Sequence, residues 1–257
     1  MFVLSVFMPN SSSGKSNYIY GGTSVFLRLI FPLFDYFTLV PSAPRFHANA
    51  ILNHYIQHPV IEDRLARLRQ RDCPTPKFRQ YVKEVSQLMA PYVTANLLTL
   101  PVEVETPMEI TTGRKLASEL VLVPILRAGL GMLDGFMGLL PDTSVAHIGL
   151  VRDEQSLQPD CYYFKAPNHL PDADVLVLDP MLATGGSACA AIAELKKQGA
   201  RHLHFVCMVA APEGLGAMNA EHPDVPVYYS ALDNRLNEQG YILPGLGDAG
   251  DRIFGTS

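Results

Sequence analysis

The chain has 257 residues, of which 48% are hydrophobic and 18% are charged, so it can build a large core. Its formal net charge is −5, with a pI near 5.9, which excludes a broad basic surface for nucleic acid or anionic lipid. Its four cysteines are scattered without a Cys-x-x-Cys pair. This pattern argues against a disulfide or zinc framework and favours a reducing, cytoplasmic location.

The first 48 residues differ in pattern from the rest. Residues 25–40 are apolar, but an arginine, a proline and an aspartate interrupt them, so they are too short and too broken for a bilayer span. Pro44 spoils the best candidate for a signal-peptide cleavage site. We interpret residues 1–48 as an extension of uncertain order: an over-long translation start, a loosely ordered segment, or a helix packed on the body or on a partner subunit. Residues 49–257 are predicted to form a single domain.

From Pro59 onward the apolar residues recur with regular spacing. The pattern predicts helices around 61–68 and 78–89, then an edge strand at 102–106 that 108–111 could pair with. Further strands are predicted at 120–125, 145–151, 175–179, 203–210 and 225–231, with helices from about residue 130, up to Gln198 and near Gly214. Residues 161–164 read as a strand on an excursion from the sheet, forming an arm over the site. Alternating strands and helices indicate a parallel sheet with helices on both faces, whose ligands bind at the carboxyl ends of the strands.

The most informative segment is residues 175–187, VLVLDPMLATGGS. An apolar strand ends in Asp179, and a small, hydroxyl-rich string leads into an alanine-rich helix. Glycines let the backbone approach a phosphate, while loop N–H groups, hydroxyls and the helix N-terminus donate to it. The Asp179 carboxylate suits a pair of ribose hydroxyls, so the segment predicts a phosphoribosyl ligand. The alternative is an ordinary strand-to-helix turn without a ligand; a nucleotide P-loop is excluded because no Gly-Lys-Ser/Thr follows.

Two arginines follow neighbouring predicted strands. Arg127 comes just after strand 120–125, and Arg152 directly follows strand 145–151. A planar guanidinium binds two phosphoryl oxygens at once and keeps its charge, so both arginines are candidates for a second anion site. The alternatives are a turn-capping role for Arg127 and an ion pair of Arg152 with the adjacent acids Asp153 and Glu154.

The C-terminal segment, residues 240–255, is rich in glycine. Four glycines between Gly245 and Gly255, together with Pro244, predict neither a helix nor a central strand. Such a segment presents backbone N–H and C=O groups that could read a flat heterocycle. A floppy tail is the alternative, which the flanking apolar residues disfavour.

Taken together, these segments resemble the uracil phosphoribosyltransferases. The stretches VPILRAGLGMLDG, LVRDE, VLDPMLATGGSA, AAPEG and GYILPGLGDAGDRIFGT are familiar from that family in this order and spacing, between about His58 and Thr256. The resemblance implies an α/β fold, the type I phosphoribosyltransferase core: a mainly parallel twisted sheet flanked by helices, with a small hood and a β-arm. It also implies transfer of the phosphoribosyl group from 5-phosphoribosyl 1-diphosphate (PRPP) to N1 of uracil, giving UMP and diphosphate.

The resemblance further implies roles for individual residues. The candidate catalytic residues are Arg127, Asp179 and Asp248. Asp179 would hold the ribose hydroxyls, and Arg127 and Arg152 would bind the diphosphate. The expected PRPP contacts are Arg127, Arg152, Asp179, Pro180, Met181, Leu182, Ala183, Thr184, Gly185, Gly186, Ser187 and Asp248, and the expected uracil contacts are Ile242, Gly247, Asp248 and Ala249.

Mg²⁺ is the implied cofactor, held mainly by PRPP and water, so no protein metal cluster is expected. The expected assembly is a homodimer or homotetramer, with GTP left open as an effector and no nucleic-acid or membrane partner. The rival function is a PRPP- or UMP-sensing regulator, or a pseudo-enzyme, on the same fold. An RNA-binding regulator would need a basic face, and a pseudo-enzyme would show losses in the phosphate or arginine loops, which are intact.

Overall fold

The structure, a computed structural model, describes residues 52–152 and 159–256. The interpretation of residues 1–48 as an extension, and of Asp153 and Glu154 as ion-pair partners of Arg152, falls outside the described residues. These interpretations, and the division of the chain at residue 48, stay predictions. Among the described residues no helix is both long enough and apolar enough to cross a membrane.

The described chain alternates strands and helices, as the apolar pattern predicts. The helices are α1 (Pro59–Arg69), α2 (Thr75–Val93), α3 (Leu130–Met137), α4 (Gly186–Lys197), α5 (Pro212–Glu221) and α6 (Ala249–Phe254). The strands are β1 (Asn53–Tyr55), β2 (Thr99–Glu105), β3 (Ile110–Leu116), β4 (Leu120–Leu126), β5 (Ser144–Val145), β6 (His147–Arg152), β7 (Pro159–Lys165), β8 (Asp174–Leu178), β9 (Met181–Leu182), β10 (His202–Ala210), β11 (Val227–Leu232), β12 (Arg235–Leu236) and β13 (Ile242–Leu243).

A mainly parallel sheet forms the centre, in the order β1-β11-β10-β8-β4-β6-β7. All of these strands pair in parallel except β6 and β7, and the short strands β5 and β9 add to β4 and β10. Parallel pairing brings the carboxyl ends of β4, β6, β8 and β10 to one edge of the sheet. The predicted α/β class is therefore confirmed, and the segments predicted to bind ligand follow strands at that edge.

Two hydrophobic layers cover the sheet, because central parallel strands are buried on both faces. On one face Val175, Val177 and Phe205 pack with the apolar side of α4 and with α5. On the other face Leu176 and Leu178 pack against α1, α2, α3 and α6. The alternate residues of β8 thus face opposite layers, which explains why its sequence is apolar throughout.

Two predictions about single elements are wrong. Residues 161–164 do not leave the sheet, because β7 pairs antiparallel with β6 at its edge; the protruding arm is the separate β2–β3 hairpin. The glycine-rich C-terminal segment does contain a helix, α6. Asp248 caps its N-terminus by accepting the N–H of Asp251 at 2.9 Å, and Gly255 ends it with φ 70°. Of the glycines in this segment only Gly250 lies inside the helix, and the others lie before its start or at its end.

Candidate active site

The segment after β8 has the geometry of an anion-binding loop. Gly185 lies at the N-terminal end of α4 with φ 87°, and a Cβ there would lie 2.7 Å from the Cβ of Ala217. Both the left-handed backbone and the crowding require glycine at this position. Thr184, Gly186 and Ser187 are exposed around the start of α4. The first N–H groups of a helix lack intrahelical partners. Here the Gly186 N–H donates to the Thr184 hydroxyl over a long 3.4 Å, and Gly185 itself has no side chain to cap the helix, so the α4 N-terminus can still receive an anion.

The other predicted phosphate-loop residues support this segment from inside. Pro180 and Leu182 are buried, whereas Met181 and Ala183 are partly exposed. The carbonyl of Pro180 accepts N–H groups from β10, and the carbonyl of Leu182 accepts from Ala211 at 2.9 Å. Pro180 also lacks an N–H. Pro180 therefore offers PRPP no backbone donor, and the contacts of Pro180 and Leu182 with PRPP stay predictions.

Asp179 is a half-buried carboxylate at the end of β8. Burial raises its pKa to about 7, although the Met181 N–H, 3.4 Å from Oδ1, opposes the shift. The charge of this carboxylate also acts on the buried Cys207. Burial, and to a smaller extent the Asp179 charge, raise the pKa of the Cys207 thiol well above its usual range. An incompletely solvated acid at this position is suited to accept hydroxyl groups of a ligand, since they would replace the missing water.

Arg127 follows β4 after a cis peptide bond with Leu126. The loop packs against β8, because a Cβ at Gly129 would lie 2.3 Å from the carbonyl oxygen of Leu178. The Arg127 guanidinium is 59% exposed, and its Nη2 lies 3.2 Å from Oδ1 of Asp251 in α6. The Thr256 hydroxyl, together with Arg127, lowers the pKa of Asp251. The structure therefore places a charged, reachable guanidinium between the β4 loop and the C-terminal helix.

Arg152 is the last residue of β6, which pairs with β4 next to Arg127. Its backbone reaches the same edge of the sheet as the phosphate loop. Its side chain lies outside the described part of the structure, so binding of diphosphate by Arg152 stays a prediction.

The predicted uracil-binding segment comes back to this edge. Ile242 and Ala249 are buried, whereas Gly247, with φ 80°, and Asp248 are exposed. Asp248 is also close to Arg127: a Cβ on the intervening Gly250 would lie 3.2 Å from the Asp248 Oδ1 and 3.7 Å from the Arg127 Nη2.

The C-terminal segment also contacts the phosphate loop. A Cβ at Gly240, in the β12–β13 turn, would lie 3.6 Å from the Cγ2 of Thr184. The loops after β4 and β8 therefore both lie beside the C-terminal segment. This arrangement leaves an anion site and a backbone-lined site side by side.

Sequence reasoning did not assign a role to Gly214. A Cβ there would lie 2.6 Å from the carbonyl oxygen of Ala183 and 2.7 Å from that of Leu182, so α5 packs directly beneath the phosphate loop. The AAPEG stretch was the available signal, since a glycine early in a helix indicates close approach of another backbone.

Among the described residues one side-chain group has the composition of a metal site: Cys189, Glu221 and His222. It lies beside a cavity of about 630 Å³ between β7 and α4, whose lining also includes Gly186 of the phosphate loop. Both ring nitrogens of His222 are already engaged, with the Cys189 carbonyl oxygen at 3.0 Å and with the Lys196 ammonium at 3.3 Å. A neighbouring cation disfavours a metal ion, so we interpret the group as a hydrogen-bonding network between α4 and α5.

Comparison with known proteins agrees with this geometry. The family profile described as uracil phosphoribosyltransferase matches residues 55–256. Uracil phosphoribosyltransferase from Acholeplasma laidlawii is 52% identical over 201 residues, which cover 78% of this chain and 97% of the relative. The Exiguobacterium sp. uracil phosphoribosyltransferase is 52% identical over 204 residues, covering 79% and 98%. The solved structure of the AQ2163 protein from Aquifex aeolicus superposes with a TM-score of 0.75 at 35% identity, covering 80% of this chain and 99% of that one. The chain belongs to the uracil phosphoribosyltransferase family.

Proposed function

We propose that this chain transfers the 5-phosphoribosyl group of PRPP to N1 of uracil, giving UMP and diphosphate. The observation that carries the proposal is the convergence of three features at one edge of the sheet: the open N-terminus of α4, the Arg127 guanidinium and the C-terminal segment. An anion site beside a backbone-lined pocket suits a phosphorylated sugar and a flat base. The match to uracil phosphoribosyltransferases over nearly their whole length supports the same reaction.

Catalysis would rest mainly on charge placement. Displacement at the anomeric carbon passes through an oxocarbenium-like state while negative charge grows on the departing diphosphate. Arg127, and Arg152 beside it, would stabilise that charge, which is the kind of interaction that lowers a barrier most. The α4 N-terminus and the Thr184 and Ser187 hydroxyls would fix the 5-phosphate, and Asp179 would accept the ribose hydroxyls. Asp248 is the nearest candidate to assist loss of the uracil N1 proton.

The carboxylates at this edge fit magnesium that is carried by the substrate. Asp179 and Asp248 offer oxygen ligands, the type that Mg²⁺ prefers, but they do not form a cage. Asp179 and Asp248 would supply the protein oxygens for Mg²⁺, and the bound ion would offset the negative charge of the diphosphate. The protein would then orient the substrate oxygens and leave most of the coordination to PRPP and solvent.

The test is formation of UMP from labelled uracil and PRPP in the presence of Mg²⁺, followed by chromatography. Enzymatic turnover that disappears in Asp179→Ala is the expected result. A PRPP- or UMP-sensing regulator would bind either molecule without making UMP. Binding without turnover would therefore replace the proposed function with the rival one.

The exposed hairpin β2–β3 supports the predicted homo-oligomer. Met108 is 91% exposed and Ile110 65%, and four more large apolar side chains of the hairpin region are exposed: Leu98, Leu100, Val104 and Leu116. The register places Leu100 and Val104 on one face of the hairpin and Ile110 and Leu116 on the other, so apolar side chains are exposed on both faces. Exposed apolar surface of this kind is typical of an interaction site. The hairpin also carries both acids and bases, so a two-fold interface could pair it with itself. Light scattering should show an oligomer that dissociates in the double variant Met108→Ser/Ile110→Ser.

Two further predictions need their own measurements. A cytoplasmic location is proposed from the scattered cysteines and is checked by fractionating cells. Activation by GTP stays a prediction that rate measurements with and without GTP would decide.

A further inference from the structure

An ion pair at the end of α1 supports the C-terminal segment. The Arg69 guanidinium donates from Nη2 to Oδ1 of Asp233 and from Nη1 to Oδ2, both over 2.7 Å. The Asp233 side chain is only 6% exposed and that of Arg69 is 24% exposed. A bidentate pair of this kind has a fixed geometry, and it joins the last residue of α1 to the residue that follows β11.

The pair also holds both backbone polar groups of Gly245. The N–H of Gly245 donates to Oδ2 of Asp233, and its carbonyl oxygen accepts from the Arg69 Nη1, each over 2.8 Å. Gly245 has φ 62°, and a Cβ there would lie 2.1 Å from the carbonyl oxygen of Ile242. Both backbone groups of this glycine are therefore fixed by side chains, at a position between Ile242 and Gly247, which are both predicted to read the base.

A second guanidinium holds the next residue from the other side. The Arg252 Nη1 donates to the carbonyl oxygens of Leu246 and Leu68, over 2.6 and 2.8 Å. The Arg252 Nη2 donates to the carbonyl oxygen of Gln70 over 2.6 Å, and the guanidinium lies 4.3 Å from the ring centroid of Phe78. The C-terminal end of α1 thus supports residues 245 and 246 through two separate arginines.

We propose that Arg69 and Asp233 are positioning residues that set the affinity for the base, while the PRPP loop works independently of them. The inference rests on the proposed function, since it assigns uracil to Ile242 and to residues 247–249, on either side of Gly245. The physical reason is that backbone groups read a base only if their positions are fixed, and small displacements of a binding group cost large factors in rate or affinity. The phosphate loop is built on β8 and α4 and, among the described contacts, makes no hydrogen bond to the pair.

The test compares two variants of the pair with a matched control on the same helix. Arg69→Lys keeps the charge but cannot serve both Asp233 oxygens and the Gly245 carbonyl at once, and Asp233→Asn removes the charge of the acceptor. The exposed pair Asp63–Arg67, four residues apart on α1, provides the controls Arg67→Lys and Asp63→Asn. We expect each variant of the buried pair to raise the KM for uracil about tenfold or more, with the KM for PRPP changed less than about threefold. The controls should leave both constants unchanged.

Hydrogen exchange separates positioning from general damage. In Arg69→Lys, amides of residues 240–250 should exchange faster while those of residues 183–190 keep their rates. Equal rises in both KM values, or unchanged exchange at 240–250, would overturn the proposal. Hydrogen exchange does not need turnover, so it still tests whether Arg69 and Asp233 position the segment if the wild-type chain makes no UMP. Absence of UMP formation would count against the proposed function alone.

Discussion

The substitution Asp179→Asn should stabilise the protein at pH 8 while abolishing its activity. Burial raises the pKa of Asp179 from 3.8 to about 7, so ionising this carboxyl costs free energy in the folded state. A pKa shift of one unit corresponds to about 1.36 kcal/mol, so the whole shift is worth about 4 kcal/mol at most. Because the carboxylate is partly exposed, we expect a net gain of about 1 to 3 kcal/mol from the neutral amide.

The stabilising effect of Asp179→Asn depends on pH. Below about pH 3.8 the carboxyl is protonated in both the folded and the unfolded chain, so Asp179 contributes no ionisation penalty there. Between 3.8 and about 7 the unfolded chain gives up this proton first, so the free energy of unfolding falls as the pH rises. The advantage of Asp179→Asn should therefore be small near pH 4 and should reach its full size above pH 7.

Urea unfolding at fixed protein concentration, followed by far-UV circular dichroism because the chain has no tryptophan, measures both effects. Asp172→Asn, at an exposed aspartate, serves as the control and should change the free energy of unfolding by less than about 0.5 kcal/mol. Equal effects of Asp179→Asn at pH 4.5 and pH 8 would refute the reasoning. If Asp179→Asn is more stable but keeps full turnover, the Asp179 charge affects stability and is not needed to bind the ribose.

Three further outcomes are expected in steady-state assays of UMP formation. Arg127→Ala should lower kcat by roughly 100-fold or more, because the charge matters most as diphosphate leaves; an unchanged kcat would limit Arg127 to binding. Gly185→Ala should raise the KM for PRPP by about tenfold or more, since φ 87° and the contact with Ala217 both exclude a side chain, whereas Gly216→Ala, with open space around its Cβ, should leave that KM unchanged. Cytosine should react roughly 10⁴-fold more slowly than uracil, because fixed N–H and C=O groups cannot suit both hydrogen-bonding patterns, while 5-fluorouracil should react within about tenfold of uracil. Comparable kcat/KM values for cytosine and uracil would remove the base-reading role from residues 247–249.

The parts of the site that could be predicted from sequence are those coded locally. The apolar run of β8, the acid that follows it and the glycines at the start of α4 lie within thirteen residues, and each has a direct physical meaning. The same holds for Arg127 after β4. Parallel strands place their carboxyl ends together without further information, so correct strand assignments alone brought these loops to one edge.

Other features depended on contacts that a local pattern does not contain. Residues 161–164 join the sheet because β7 pairs with β6, and no turn motif in the sequence predicted that pairing. Helix α6 forms despite its glycines because Asp248 caps it and Ile253 is buried against the core. Arg69 and Asp233 are 164 residues apart, so only the fold shows that they act together.

The electrostatics of the site explain how an acidic chain can receive a polyanion. Net charge omits the α4 N-terminus, whose N–H groups attract a phosphate without adding to the formal charge of −5. Arg127 is paired with Asp251, so its charge is partly compensated until a stronger anion competes for it. Because burial raises the pKa of Asp179 to about 7, a substantial fraction of this carboxyl is neutral at physiological pH, which weakens repulsion of the approaching substrate. Hydroxyl donors from the ribose would then favour the ionised form, so PRPP binding should release protons below about pH 7, an effect that calorimetry in buffers of different ionisation enthalpy can measure.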